Sequence, residues 1–146
     1  MALWQIDFFI LPQDALNNQE LFKISEEHSF DDSQFWQSLK ESPSNFDSVG
    51  LFLPRSKSWA SCLIMFGDET SNRFEIMASN DFVESVSFRI DFTSAYDDVL
   101  RQIIEFCILN GFIILDEKLQ IVPLNFEAAK RVIEDAPQVR KYNSLL

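Results

Sequence analysis

A chain of 146 residues has the length of one domain, and 47% hydrophobic residues, 15 of them phenylalanine, give it the material for a packed core. Three glycines and five prolines exclude a fibrous or low-complexity chain. Twelve Lys and Arg against 23 Asp and Glu leave a net charge of −11, which repels nucleic-acid phosphates and anionic membrane surfaces and suits a basic protein partner, although an acidic surface also serves solubility alone.

The chain opens on LWQIDFFIL, in which Trp4, Ile6, Phe8 and Ile10 alternate with Gln5 and Asp7. Period two predicts a strand with one wet face, ended by Pro12. The segment has no basic start, no small-residue cleavage site and an aspartate in its middle, so it does not read as a signal peptide. Nowhere do about 18 apolar residues run uninterrupted, which argues against a membrane span.

Residues 13–57 are rich in Asp, Glu, Asn, Gln and Ser and read as a polar excursion. Within it, SFDDSQFWQSLKES predicts a short helix. Ser29 is the expected cap, Asp31 and Asp32 suit the positive helix start, and Phe35, Trp36 and Leu39 form the apolar stripe. Leu51 to Leu53 read as a short apolar strand or anchor.

From Trp59 the signals sharpen. WASCLIMF, RFEIMAS and FVESVSFRIDF are three strands joined by the turns GDETSN and ND, hence an antiparallel meander. In the third, Val86, Phe88 and Ile90 share one face and Ser85, Ser87, Arg89 and Asp91 the other. A helix follows: Ser94 with Asp97 resembles a capping box, the apolar positions from Tyr96 to Ile108 have helical spacing, and Asn110-Gly111 supplies a stop. FIILDEKLQIV reads as two short strands around a turn. Asn125 caps a last helix that Pro137 ends, and the basic cluster QVRKYNSLL forms the tail. Cys62 and Cys107, each in an apolar run, are expected as buried free thiols in a reducing, cytoplasmic setting. The sum is an α+β fold: a two-layer single domain, an antiparallel meander sheet with helices packed on one face.

Arg89 and Asp91 lie two residues apart on one strand face, about 7 Å along it. With Arg73 and Glu75 on the neighbouring strand they make either a polar docking patch or a solvated face held by charge pairs worth under about 1 kcal/mol each. His28, beside Glu26 and Glu27, is the one histidine and either an acid-base group or a loop residue. The carboxylate pairs Asp31-Asp32, Asp68-Glu69, Asp97-Asp98 and Asp116-Glu117 sit at turns and helix starts. No zinc spacing, calcium-loop spacing or glycine-rich phosphate loop is present. Trp36 and Trp59 are either core aromatics or interface anchors.

The stretch SWASCLIMFGDETSNRFEI, followed by VESVSFRIDFTSAYDDVLRQIIEFCILNGFIIL, contains Phe66-Gly67, Asn72-Arg73 and Arg89-Ile90-Asp91. Over about residues 58–125 it resembles small uncharacterised bacterial proteins, some of them immunity proteins of polymorphic toxin systems. That resemblance implies a non-enzymatic protein that blocks a basic toxin domain by occlusion, and it carries no catalytic residue onto this chain. The expected binding residues are Asp31, Asp32, Trp36, Arg73, Glu75, Arg89 and Asp91, with no catalytic residue, metal or cofactor. A small-ligand-binding domain with an aromatic-lined pocket is the alternative. A hydrolase built on His28 and carboxylates is a third reading.

Overall fold

The computed structural model describes residues 3–25, 27 and 29–146, so His28 and Glu26 lie outside the described residues. Period-two alternation produces β1 (Gln5–Pro12), β3 (Leu63–Gly67), β4 (Arg73–Ser79) and β5 (Phe82–Asp91). The two-residue strands β2 (Arg55–Ser56) and β7 (Ile121–Val122), with β6 (Phe112–Leu115), complete a seven-stranded sheet in the order β2-β3-β4-β5-β1-β6-β7. Every pairing is antiparallel. The expected α+β architecture and meander are present, and β1 inserts between the meander and the β6–β7 hairpin. The β4–β5 turn uses Asn80 and Asp81, both with positive φ, as a tight hairpin requires.

The register explains why phenylalanine is so abundant. Phe8 lies opposite Phe88, Phe88 opposite Phe74, and Phe74 opposite Phe66, one aromatic row across four strands. Their ring centroids follow at 4.9, 6.5 and 6.4 Å. Cross-strand aromatic pairs of this kind contribute about 0.5–1 kcal/mol each beyond their burial. Over this face pack α2 (Asp97–Asn110), α3 (Phe126–Glu134) and a 3-10 helix, Pro43–Leu51. Phe46, at the centre, lies within 6.2 Å, centroid to centroid, of Trp36, Phe74, Phe106 and Phe112.

Helices are not confined to that layer. On the opposite face Phe9, Leu11, Ile113 and Leu115 gather a second apolar cluster with Ala15, Leu16, Phe22, Phe30 and Phe35. The first 3-10 helix, Gln13–Leu21, covers it. Across β5 and β4 the same face is polar.

Several local expectations change. α1 spans only Ser33–Trp36, and Ser29 bonds Ser25 instead of capping it. Trp36 and Phe35 leave α1 in opposite directions, one into each apolar cluster, so this short segment plugs the strand ends where β1 and β5 meet it. α2 begins at Asp97 without a side-chain cap, because the Ser94 hydroxyl donates to the Asp91 carbonyl (2.8 Å) and Asp97 binds Lys130. Leu51 ends a 3-10 helix and is exposed. Cys62 is exposed in the turn before β3, while Cys107 is buried. Trp59 precedes β3 and is 79% exposed. Asn125 does cap α3, accepting from the Ala128 N–H at 3.1 Å, and Gly111 ends α2 with φ 70°. Pro137 does not merely stop a helix. It opens α4 (Pro137–Ser144), whose Tyr142 rests edge-on against Phe92.

Gly67 ends β3 with φ 91°, and a Cβ there would lie 2.3 Å from the Asn72 carbonyl oxygen. Gly67→Ala is expected to destabilise by about 2 kcal/mol or more, since both the dihedral and the backbone contact oppose a side chain. A denaturant midpoint unchanged from wild type would refute this.

Candidate functional site

The opposite alternation positions of β1, β5, β4 and β3 place Asp7, Arg89, Arg73 and Gly67 in one row and Phe9, Ser87, Glu75 and Met65 in the next. Arg73 and Arg89 are direct cross-strand neighbours, a like-charge pairing that is unfavourable by itself. Each guanidinium is therefore held by its own carboxylate. Arg89 Nε donates to Asp7 Oδ1 at 2.8 Å, and Arg73 Nη2 lies 2.7 Å from Glu75 Oε1. All four side chains are half-buried. Where Ser87 is small and its neighbours long, the face sinks into a hollow of about 170 Å³ lined by Asp7, Phe9, Arg73, Glu75, Ser87 and Arg89.

Asp91, two residues on, does not join this lattice. It is buried at the strand end, where Oδ1 accepts from the Thr93 N–H (2.9 Å) and hydroxyl and Oδ2 from the Ser71 hydroxyl (3.3 Å). Its own N–H donates to Asn72 Oδ1 at 2.8 Å. Asp91 thus staples the β3–β4 turn to the loop before α2, and the partner of Arg89 is Asp7, 82 residues away, instead of Asp91.

At the other end of β5, the Ser85 hydroxyl donates to Asp32 Oδ2 at 2.6 Å. Asp32 is 8% exposed and has no cation partner among the described residues. Burial pushes its carboxyl up to about 6, outweighing the Ser85 hydrogen bond, and the charge of Asp31 adds to the rise. Asp31 is exposed and folds back on the Ser33 N–H and hydroxyl. Trp36 is 0% exposed, so its role is to anchor α1 in the core, and it presents no surface to a partner. The structure therefore brings Arg73, Glu75 and Arg89 together, sets Asp32 and Asp91 at the two ends of the same strand face, leaves Asp31 outside, and removes Trp36.

Asp7 and Ser87 complete the hollow, yet neither stands out in the sequence as a site residue. Asp7 was legible as a wet-face residue, but its pairing with β5 needs the register. Trp59, not Trp36, is the accessible tryptophan of the two expected near the polar segment. Among the described residues, no three His, Cys, Asp or Glu side chains are grouped to hold a metal ion. Also among them, no helix is long and apolar enough to cross a membrane. The buried Cys107 thiol is pushed up by burial and is inert as a nucleophile.

The chain matches no known family model, no curated protein and no solved structure.

Proposed function

We propose that this is a non-enzymatic protein-binding domain that uses the polar face of β1, β5 and β4, and that its partner is a basic protein blocked by occlusion, in the manner of a toxin-neutralising immunity protein. The observation that carries this reading is the two ion pairs Asp7–Arg89 and Arg73–Glu75, set side by side around the Ser87 hollow. A surface meant only for solvent gains little from arginines held half-buried in fixed positions. An interface gains more, because side chains already held by their neighbours lose less entropy on binding, and arginine is enriched among residues that dominate binding energy. The net charge of −11 supplies the long-range attraction for a basic partner.

The test compares tagged wild type with an Arg73→Ala, Arg89→Ala double variant, which removes the two anchors without reversing their charge, by quantitative capture from cell lysate at low and high salt. A basic protein retained by wild type, released by salt and at least about tenfold depleted on the variant is the expected result, equivalent to about 1.4 kcal/mol of lost binding. Equal capture by both proteins, with both equally folded by circular dichroism, overturns the placement on this face.

A further inference from the structure

A second concavity lies where the turn between β5 and α2 meets α3 and α4. It encloses about 300 Å³, at the lower end of the range of small-molecule sites. Three aromatic rings line it: Phe92 just after β5, Tyr96 just before α2, and Tyr142 on α4. Pro137 opens α4 with a new helix direction, and this brings Tyr142 back to Phe92. The two rings stand nearly perpendicular, at 80° with centroids 5.5 Å apart, like two walls of a corner. Tyr96 adds a third wall, and Ile133 of α3 and Val139 of α4 supply aliphatic surface.

Among the described residues that line this concavity, Glu134 is the one that carries a charge. It is exposed and takes part in no ion pair among the described residues. Lys130, one turn earlier on α3, lies outside the lining. Both carboxylate oxygens of Asp97 hold its ammonium, at 2.9 and 3.0 Å, so its charge is matched by a full opposite charge. Its Nζ also sits 5.8 Å from the centroid of the Tyr96 ring, so that ring already meets one cation. Burial raises the Tyr96 phenol above its ordinary value, Lys130 opposes the rise, and the carboxylates of Glu134 and Asp97 add to it. The phenol therefore stays neutral. The concavity combines the negative faces of neutral rings with one unmatched carboxylate.

Such a lining suits a cation whose charge is spread over methyl groups. A quaternary ammonium has no N–H to satisfy, so it loses few hydrogen bonds on leaving water, and ring faces attract it directly. We propose that this concavity binds a free quaternary ammonium cation of about the size of choline, its methyl groups against Phe92, Tyr96 and Tyr142 and its charge toward Glu134. The site is separate from the polar sheet face and does not depend on a protein partner.

The experiment is an amide NMR titration of the full chain with choline chloride at constant ionic strength. Parallel titrations use neohexyl alcohol (the uncharged carbon isostere of choline), ethanolamine hydrochloride, and glycerophosphocholine as the stand-in for a lipid headgroup. Choline is expected to give saturable shifts centred on residues 92–96 and 133–143, with the isostere and ethanolamine at least about fivefold weaker. Glycerophosphocholine is expected to be weaker by a similar factor of about five, because its phosphate brings a second anion beside Glu134. Tyr142→Leu is expected to weaken choline at least about fivefold, Tyr142→Phe, which keeps the ring, by less than about twofold, and Glu134→Gln by about threefold. The proposal is overturned by non-saturable shifts, by shifts centred elsewhere, or by any of the three other probes binding as tightly as choline. It is equally overturned by a Tyr142→Leu protein that binds like wild type, or by a Tyr142→Phe protein that loses as much as Tyr142→Leu. If Tyr142→Leu loses native amide dispersion, Glu134→Gln and the probe comparison decide the matter.

Discussion

Phe46→Ala is expected to lower stability by about 4 kcal/mol, the usual cost of removing a fully buried aromatic ring from a core that relaxes only in part. For a domain of this size that is a fall in melting temperature of roughly 10 °C. Phe46 stands on a 3-10 helix, whose poorer hydrogen-bond geometry does not hold it together unaided, and no solvent reaches it. Its ring is stacked on Phe112 at 5.5 Å and tilted against Phe106 and Phe74, so it joins the helix layer to the sheet. Phe82→Ala, at an exposed strand end, is the control, with an expected change under about 1 kcal/mol. Thermal melts followed by circular dichroism check both. Similar melting temperatures for the two variants would show that residues 43–51 are not part of the cooperative core.

The second large effect depends on pH. Asp32 has a carboxyl raised from 3.8 to about 6 in the folded protein. The native state therefore binds this proton more tightly than the unfolded chain. Its favourable contribution is complete below about pH 4 and disappears as pH climbs through 6, a span of about 3 kcal/mol. Asp32→Asn keeps an acceptor for the Ser85 hydroxyl and removes the charge. The variant is expected to match wild type near pH 4 and to melt about 8 °C higher at pH 8. Melting curves at both pH values check this. A gap between the two proteins that is the same at pH 4 and pH 8 would mean that Asp32 is not the group responsible.

Strand alternation made the sheet's long strands legible, and with them the opposed faces of β5. Phe88 and Arg89 point apart for the same reason in the sequence and in the structure. The C-cap at Gly111 and the N-cap at Asn125 were legible because each depends on one residue and its immediate neighbours. What depends on distant neighbours was not. Arg89 has Asp91 close by in the chain and Asp7 82 positions away, and only the pairing of β1 with β5 decides between them. The aromatic row Phe8–Phe88–Phe74–Phe66 is invisible for the same reason: each member is merely one more phenylalanine until the register aligns them. The 3-10 helices escaped because three residues per turn do not produce the 3.6-residue apolar spacing that marks an α-helix. Trp59 misled through its apolar surroundings. WASCLIMF reads as one strand, whereas the strand begins at Leu63 and leaves Trp59 and Cys62 outside.

The position of β1 also governs how the chain is made. β1 is synthesised before both of its neighbours, β5 and β6. At about 5–20 residues per second, β5 follows β1 only after several seconds, during which Phe8, Phe9 and Ile10 have no native strand to pair with, and Leu11 waits longer for β6. Such a run of β-forming apolar residues is prone to associate with other nascent chains. Asp7 and Pro12 bracket it, a charge at one end and a missing N–H donor at the other, which is the arrangement that discourages edge-to-edge association. The same aspartate that later holds Arg89 thus protects the strand while it waits, and replacing it by an apolar residue would be felt first as aggregation during expression.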